Sequence, residues 1–375
     1  MSIEVHHEVT GPADGPAVLL AGSLGSDLRM WDPQVPHLVE AGMRVIRYDH
    51  RGHGRSPVPP GPYGIADVAG DALDLLDRLG VERVSVVGLS LGGMVGMWLG
   101  QHVPGRIERL VLCCTSAELG PRSMWDERIA AVGAGGTEAV AGPVTERWLT
   151  PATRERRPEL ARWLYDMIAA VPAEGYAGCC AAIRDMSLLD GLGSITAPTL
   201  VISGAADPAT PPEHGQRIAD GVPGSRFVVV PEVAHLGTLE APARFSELTL
   251  RHLLPDRSVA GAVARRRALG DTHVDAAATA GELRRPWQEY VTESVWGSLW
   301  TRPQLDRRTR SIVTISVLAA LRAHDELALH VRAALRHGVT REELAEILLH
   351  VGGYAGAPAA NSALTVAERV LDAED

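Results

Sequence analysis

Gly88-Leu89-Ser90-Leu91-Gly92 fits the pattern G-x-S-x-G. An apolar run, Val84–Val87, precedes it and a helix-like stretch, Leu91–His102, follows. That context is the strand–turn–helix that exposes a nucleophilic serine at a helix N-terminus. Serine is too weak an acid to attack a carbonyl unaided, so a base must accompany it. His235 follows the apolar run Phe227–Val230, and Asp207 follows Thr199–Ser203. The order Ser, Asp, His suits a triad for acyl transfer. His235 takes the serine proton, while Asp207 fixes the imidazole tautomer and stabilises the imidazolium. Asp49 is the alternative acid. His53, in Asp49-His50-Arg51-Gly52-His53-Gly54, reads as loop packing. The tetrahedral oxyanion needs two backbone N–H groups. Leu91, directly after the serine, supplies one, and Leu24, in the loop Ala21–Asp27, is the expected second.

A second constellation lies near the C-terminus. Glu326 and His330 are four apart on a predicted helix, Asp325–His337, and so share a face. Arg332 is close by in sequence. His350 and Tyr354 form another such pair beside the glycine-rich stretch Gly352–Pro358. The four cysteines occur as Cys113-Cys114 and Cys179-Cys180, with neither C-x-x-C nor metal-ligand spacing. They read as small buried hydrophobes in a reducing compartment, and no metal site is expected.

The basic residues restrict the chemistry further. All 36 are arginine. Without lysine there is no Schiff base, no covalently held pyridoxal phosphate and no P-loop. No cofactor is expected, and any cation that grips a substrate must be arginine, a metal or a protonated histidine. Residues 1–254 carry 30 acids against 21 arginines, and residues 255–375 carry 16 against 15. Neither part has the basic excess of a nucleic-acid binder. No apolar run approaches the roughly 18 residues of a membrane span. MSIEVHHEVTG lacks the basic-then-apolar pattern of a secretion signal, so the expected location is cytoplasmic.

These residues need a scaffold. Apolar runs at Ala17–Leu20, Val45–Tyr48, Val84–Val87 and Leu110–Cys113 alternate with helical stretches such as Asp67–Leu79. That alternation predicts a parallel sheet covered by helices on both faces. Residues 118–190 have helix-like periodicity and no clear strand, and read as a helical cap inserted before the sheet resumes. A helix over Pro242–Leu254 closes the first domain, 1–254. Pro255-Asp256-Arg257-Ser258 marks a linker, placed at 255–259. Residues 260–375 read as all-helical, with helices at Ala260–Leu269, Pro286–Ser298, Asp306–Leu321, Asp325–His337, Arg341–Gly352 and Ala359–Leu371. Thr340 and Glu343 suit a capping box, and Gly338 a helix stop.

Three segments of the first domain carry a family resemblance: SLGSDLRMWDPQ (Ser23–Gln34), RYDHRGHGRSP (Arg47–Pro57) and VGLSLGGMVG (Val87–Gly96). Residues 1–254 resemble the α/β-hydrolases, and specifically the 3-oxoadipate enol-lactonases. In the second domain, WGSLWTRPQLDRRTRS (Trp296–Ser311), ELALHVRAALRHGVT (Glu326–Thr340) and LLHVGGYAGAPAAN (Leu348–Asn361) resemble the 4-carboxymuconolactone decarboxylases. The wider superfamily includes alkylhydroperoxidases with a C-x-x-C ahead of the histidine. Ala323 and Glu326 stand at those cysteine positions here, so disulfide chemistry is not implied.

The resemblance implies a bifunctional enzyme acting on small dicarboxylate lactones. The C-terminal domain would decarboxylate 4-carboxymuconolactone, and Ser90 would then open the resulting enol-lactone to 3-oxoadipate. His330 is the first candidate acid, with Glu326 tuning its pKa, and His350 or Tyr354 are alternatives. Arg332, or one of Arg302, Arg307, Arg308 and Arg310, would clamp a carboxylate. Arg29 and Trp148 would contact the lactonase substrate. The family is typically oligomeric, which implies a homo-oligomer assembled through the C-terminal domain. The competing reading is a cofactor-free esterase or perhydrolase whose helical tail only assembles copies.

Overall fold

The computed structural model describes residues 3–254, 256–278 and 281–374. They divide into two compact units, Met1–Leu253 and Leu254–Asp375.

The first unit is built on a seven-stranded sheet in the order β1-β3-β2-β4-β5-β6-β7. Its strands are β1 His7–Thr10, β2 Ala17–Ala21, β3 Arg44–Tyr48, β4 Val84–Leu89, β5 Ile107–Cys113, β6 Thr199–Gly204 and β7 Arg226–Val230. All neighbours pair in parallel except β1, which lies antiparallel on β3. β1 was not expected, because HEVT carries none of the apolar character of its neighbours and its last three residues are exposed. A polar edge strand gives no run to detect. The central β4 and β6 are buried at every residue, which explains their unbroken apolar sequence.

The helices of this unit are α1 Val35–Glu40, α2 Ile65–Arg78, α3 Leu91–His102, α4 Arg122–Gly135, α5 Glu138–Trp148, α6 Pro151–Arg156, α7 Pro158–Ala169, α8 Ala173–Asp185, α9 Pro212–Gly221, α10 Gly237–Glu240 and α11 Pro242–Leu253. α2 buries Val68, Ala69, Ala72, Leu75 and Leu76, the single apolar face that its spacing predicts. Helices α4 to α8 fall between β5 and β6, in the stretch read as an insertion.

The second unit is helical throughout: α12 Arg257–Leu269, α13 Asp271–Ala278, α14 Arg285–Val291, a π-helical segment Thr292–Trp300, α15 Arg307–Leu321, α16 His324–Arg336, α17 Arg341–Ala355 and α18 Ala357–Glu374. Its main core joins Ile315 and Ala319 of α15, Leu327 and Val331 of α16, Leu344 and Leu348 of α17, and Ala363 and Val370 of α18. Thr340 and Glu343 form the reciprocal capping box of α17, and Gly338 takes φ 82° just past α16.

Two expectations need correction. The linker placed at 255–259 is shorter: Asp256 accepts the Ser258 N–H at 2.8 Å and starts α12 at Arg257. Pro255 lies outside the described residues. The single helix expected over Pro286–Ser298 is α-helical only to Val291 and then widens into the π-helix. Gly261 of α12 packs hard against that widened turn. A Cβ on Gly261 would sit 1.9 Å from the Thr292 carbonyl oxygen.

Candidate active site

Ser90 stands between β4 and α3 with φ 57° and ψ −115°, a left-handed conformation that costs energy for any residue but glycine. The surrounding glycines make the turn possible. A Cβ on Gly88 would lie 2.1 Å from the Gly92 carbonyl oxygen, and one on Gly92 would lie 2.0 Å from that of Ala21. The Ser90 N–H donates to Cys113 O at 3.0 Å, and its carbonyl accepts the Thr115 hydroxyl at 2.7 Å. The strained turn is therefore pinned from β5.

Asp207 follows β6 and His235 follows β7. Nδ1 of His235 meets Asp207 Oδ2 at 2.9 Å. The carboxylate also accepts the Ala209 N–H at 2.8 Å, the Thr210 N–H at 3.1 Å and the Thr210 hydroxyl at 2.8 Å. Burial alone would push the Asp207 carboxyl up. His235 and these hydrogen bonds outweigh it and hold the group below the ordinary carboxylate range. Ser90 and His235 line one cavity of about 210 Å³.

The hydrogen bonds of residues 23–26 leave one backbone amide open among the described residues. Among residues 23–26, the Ser23 amide points at the Met30 sulfur (3.3 Å), that of Gly25 donates to His53 Nε2 (2.9 Å) and that of Ser26 donates to Ser23 O (3.1 Å). Leu24 N–H is left with no acceptor among the described residues, and so is Leu91 N–H at the start of α3. Leu24 lines the Ser90 cavity. An orphaned amide is costly away from water and is satisfied by an incoming anion.

Histidines of the DHRGHG loop hold this arrangement. His50 Nε2 donates to Gly22 O at 2.9 Å, and burial pushes its imidazole down to about 3. His53 accepts the Gly25 amide while its Nδ1 donates to Arg51 O at 3.1 Å. The loop itself is fastened to α2 by a buried two-pronged pair, Arg51 Nε to Asp71 Oδ2 at 2.6 Å and Arg51 Nη2 to Asp71 Oδ1 at 2.7 Å. Asp49 serves this scaffold too. It accepts the Leu28 N–H at 2.7 Å, the Arg55 N–H at 2.9 Å and His6 Nδ1 at 2.8 Å, which rules it out as the partner of His235.

In the second unit, α16 presents His330 to the π-helix. The π-turn puts Trp296 and Trp300 against one imidazole, each with its ring centre 6.2 Å away, and Trp296 is nearly parallel to it at 4°. His330 Nδ1 is enclosed and has no partner among the described residues. Burial, then the neighbouring His273 and His337, push this imidazole down to about 4. Glu326 pulls the other way but is the weakest of these influences.

Comparison with known proteins places both units. The alpha/beta hydrolase fold family matches residues 16–242, and the carboxymuconolactone decarboxylase family matches residues 285–369. The first unit is 35% identical to 3-oxoadipate enol-lactonase 2 of Acinetobacter baylyi over 244 residues, covering 65% of this chain and 91% of that protein. The second is 43% identical to 4-carboxymuconolactone decarboxylase of Acinetobacter baylyi over 112 residues, covering 30% of this chain and 84% of that protein. This chain belongs to the α/β-hydrolase family and carries a carboxymuconolactone decarboxylase family domain. Among solved structures, the hydrolase unit is similar to the enol-lactonase from Burkholderia xenovorans LB400 (37% identity, TM-score 0.65), covering 66% of this chain and 96% of that one.

Within the α/β-hydrolase unit, the structure brings Ser90, Leu24, His235 and Trp148 to one cavity, with Asp207 behind His235. Arg29 is not among them. Asp27 caps the turn that carries Arg29 and pairs with its guanidinium at 2.6 Å, drawing it over the Trp163 ring beside a different cavity. Sequence reasoning missed the arginines that do line the Ser90 cavity, Arg128 of α4 and Arg147 of α5. Neither forms an ion pair among the described residues. Burial, and then the charge of Arg128, push the Arg147 guanidinium down. The only signal available was an arginine beside the expected contact Trp148, because cap helices carry no fixed motif.

In the decarboxylase-family unit, Glu326 is exposed and makes no hydrogen bond to His330, so the expected tuning gives way to burial. Arg332 is half-buried and leaves α16 about 200° round from His330. His350 and Tyr354 are exposed and pack on each other at 4.8 Å, with no hydrogen bond or ring contact to His330. Arg308 pairs with Glu343, and the buried Arg310 donates to Arg302 O at 2.5 Å. Those two arginines brace the start of α15. Among the described residues, no cluster of three His, Cys, Asp or Glu side chains is placed to hold a metal ion.

Proposed function

We propose that this chain catalyses two consecutive reactions on one carbon skeleton: decarboxylation of 4-carboxymuconolactone to 3-oxoadipate enol-lactone, and hydrolysis of that lactone to 3-oxoadipate. The observation that carries the second reaction is the cavity that joins Ser90, His235 and the open Leu24 amide to two arginines that have no acidic partner among the described residues. A simple esterase has no use for the arginines. An enol-lactone bearing a carboxymethyl arm does.

Ser90, deprotonated by His235, attacks the lactone carbonyl, and the oxyanion settles on the Leu24 and Leu91 amides. The C–O bond breaks, and the departing enolate is protonated and becomes a ketone, which makes ring opening favourable. Water activated by His235 then releases the acid. Arg128 and Arg147 hold the side-chain carboxylate, and Trp148 walls the cavity. Arg147→Ala is expected to raise KM for the enol-lactone by roughly 10- to 100-fold, the worth of a charge-assisted hydrogen bond. Hydrolysis of a neutral aryl ester should change little. Steady-state kinetics on both substrates decide the matter, and equal losses on both would remove the arginine from carboxylate recognition.

The first reaction loses CO2 from the ring γ-carbon. The electron pair passes through the ring C=C into the lactone carbonyl as a dienolate, and a proton is added at the α-carbon. The substrate is its own electron sink, which suits a chain without lysine. We assign His330 to the dienolate oxygen, through Nε2, since Nδ1 is enclosed. Mixing the purified protein with 4-carboxymuconolactone and following CO2, enol-lactone and 3-oxoadipate tests the whole reading. Absence of CO2 release would leave only the esterase alternative.

The proposed location is the cytoplasm, and the proposed state is a homo-oligomer joined through the second unit. Val313, Val317 and Leu321 recur every four residues on α15 and are 50%, 50% and 71% exposed. Such a stripe on a single chain suits burial against a second copy. Sedimentation equilibrium should give a multiple of 39.9 kDa, and a monomer at micromolar concentration would refute the assignment.

A further inference from the structure

The backbone on either side of His235 is tied to the cap. Leu236 N–H donates to Trp148 O at 2.9 Å. Glu240 of α10 makes the second tie with both carboxylate oxygens. Oε2 accepts the Ala234 N–H at 2.5 Å, and Oε1 accepts the Thr150 N–H and the Thr150 hydroxyl, each at 2.8 Å. Ala234 and Leu236 flank the general base. Trp148 and Thr150 close the α5 segment whose Arg147 and Trp148 line the cavity. The same Thr150 hydroxyl oxygen caps α6 by accepting the Thr153 N–H at 3.2 Å. No other carboxylate among the described residues joins these two segments.

We infer that Glu240 is a positioning residue that makes the placement of His235 depend on the cap segment 148–150, so that the wall touching the substrate also sets the base. The inference rests on the lactonase reading above. Its physical basis is geometric: displacement of a general base by a fraction of an ångström weakens proton transfer far more than it weakens substrate binding. A carboxylate is needed because three N–H or O–H donors converge there, and it alone offers two acceptor oxygens and no proton.

The test uses the full-length protein, with kcat expressed per Ser90 site titrated by a fluorophosphonate. Glu240→Ala is expected to lower kcat for the enol-lactone roughly 10- to 100-fold while KM stays within about twofold. Glu240→Gln keeps one acceptor oxygen but turns an NH2 toward a donor, so its kcat should fall between the two. Thr150→Ala should cost a few-fold in the wild type and nothing further in the Glu240→Ala background. Wild-type kcat in both Glu240 variants overturns the inference. So does a loss confined to KM, or an equal Thr150→Ala cost in both backgrounds. If Glu240→Ala leaves no titratable serine, Glu240→Gln and Thr150→Ala decide. If the wild type does not open the lactone, the lactonase reading fails instead, and the same comparisons are made with p-nitrophenyl acetate, which needs only Ser90 and His235.

Discussion

Ser90→Ala is expected to stop lactone hydrolysis while CO2 release continues, so that enol-lactone accumulates. Loss of the nucleophile should lower kcat by about 10⁴-fold or more, because the remaining triad members act only through it. The fold should survive. Ser90 has positive φ, but alanine is no more strained there than serine, and the turn is pinned by Ser90 N–H and C=O, which the substitution keeps. The reaction is followed by chromatography of the lactone and the open-chain acid, with CO2 measured in parallel. If CO2 release also stopped, the two reactions would share one site. If 3-oxoadipate still formed at the wild-type rate, the acyl-enzyme route would be wrong.

The grouping of Ser90, Asp207 and His235 was legible because its geometry is local at each point. A nucleophile elbow needs small residues at 88 and 92, and the acid and base follow their strands directly. The chain order Ser, Asp, His favoured Asp207 over Asp49, and the geometry agrees: Asp207 meets His235, while Asp49 is spent on Leu28, Arg55 and His6. The arginines of the cavity, by contrast, were hidden. Arg128 and Arg147 lie on separate cap helices, and nothing in their spacing signals that α4 and α5 turn them to one space. The position of Arg29 was hidden in the same way: nothing in the sequence reveals that Asp27 holds it beside a cavity other than that of Ser90.

In the second unit, six helical stretches and the caps were legible from periodicity and from Thr340, Glu343 and Gly338, but α13, Asp271–Ala278, was not. The π-turn was not, because an i to i+5 ladder leaves no mark in composition. Yet that turn puts Trp296 and Trp300 beside His330, and burial, followed by His273 and His337, outweighs the exposed Glu326 in its charge.

That charge favours a different role from the acid expected from sequence, and testing it gives the second large effect. An imidazole pushed down to about 4 is neutral from pH 6 to 8. A neutral imidazole is a hydrogen-bond donor to a developing oxyanion rather than a strong acid, and the proton for the α-carbon then comes from water. His330→Ala should lower kcat for decarboxylation by about 10²- to 10³-fold, the cost of one oxyanion donor, and leave hydrolysis of added enol-lactone unchanged. His330→Gln, which restores an N–H donor, should recover part of the loss. The pH–rate profile separates the two roles. If the neutral form is needed, kcat is flat from pH 6 to 8 and falls only toward pH 4, as the ring takes up a proton. If the imidazolium were the acid, kcat would drop about tenfold per unit as pH rises above 4, because the protonated fraction drops by that factor. The substrate carboxylates titrate at the acid end, so the decisive interval is the neutral one. A sloping profile there would return His330 to the role of acid. A near-wild-type kcat in His330→Ala would remove the residue from the reaction, and the dienolate would have to be stabilised from outside the Trp296–Trp300 enclosure.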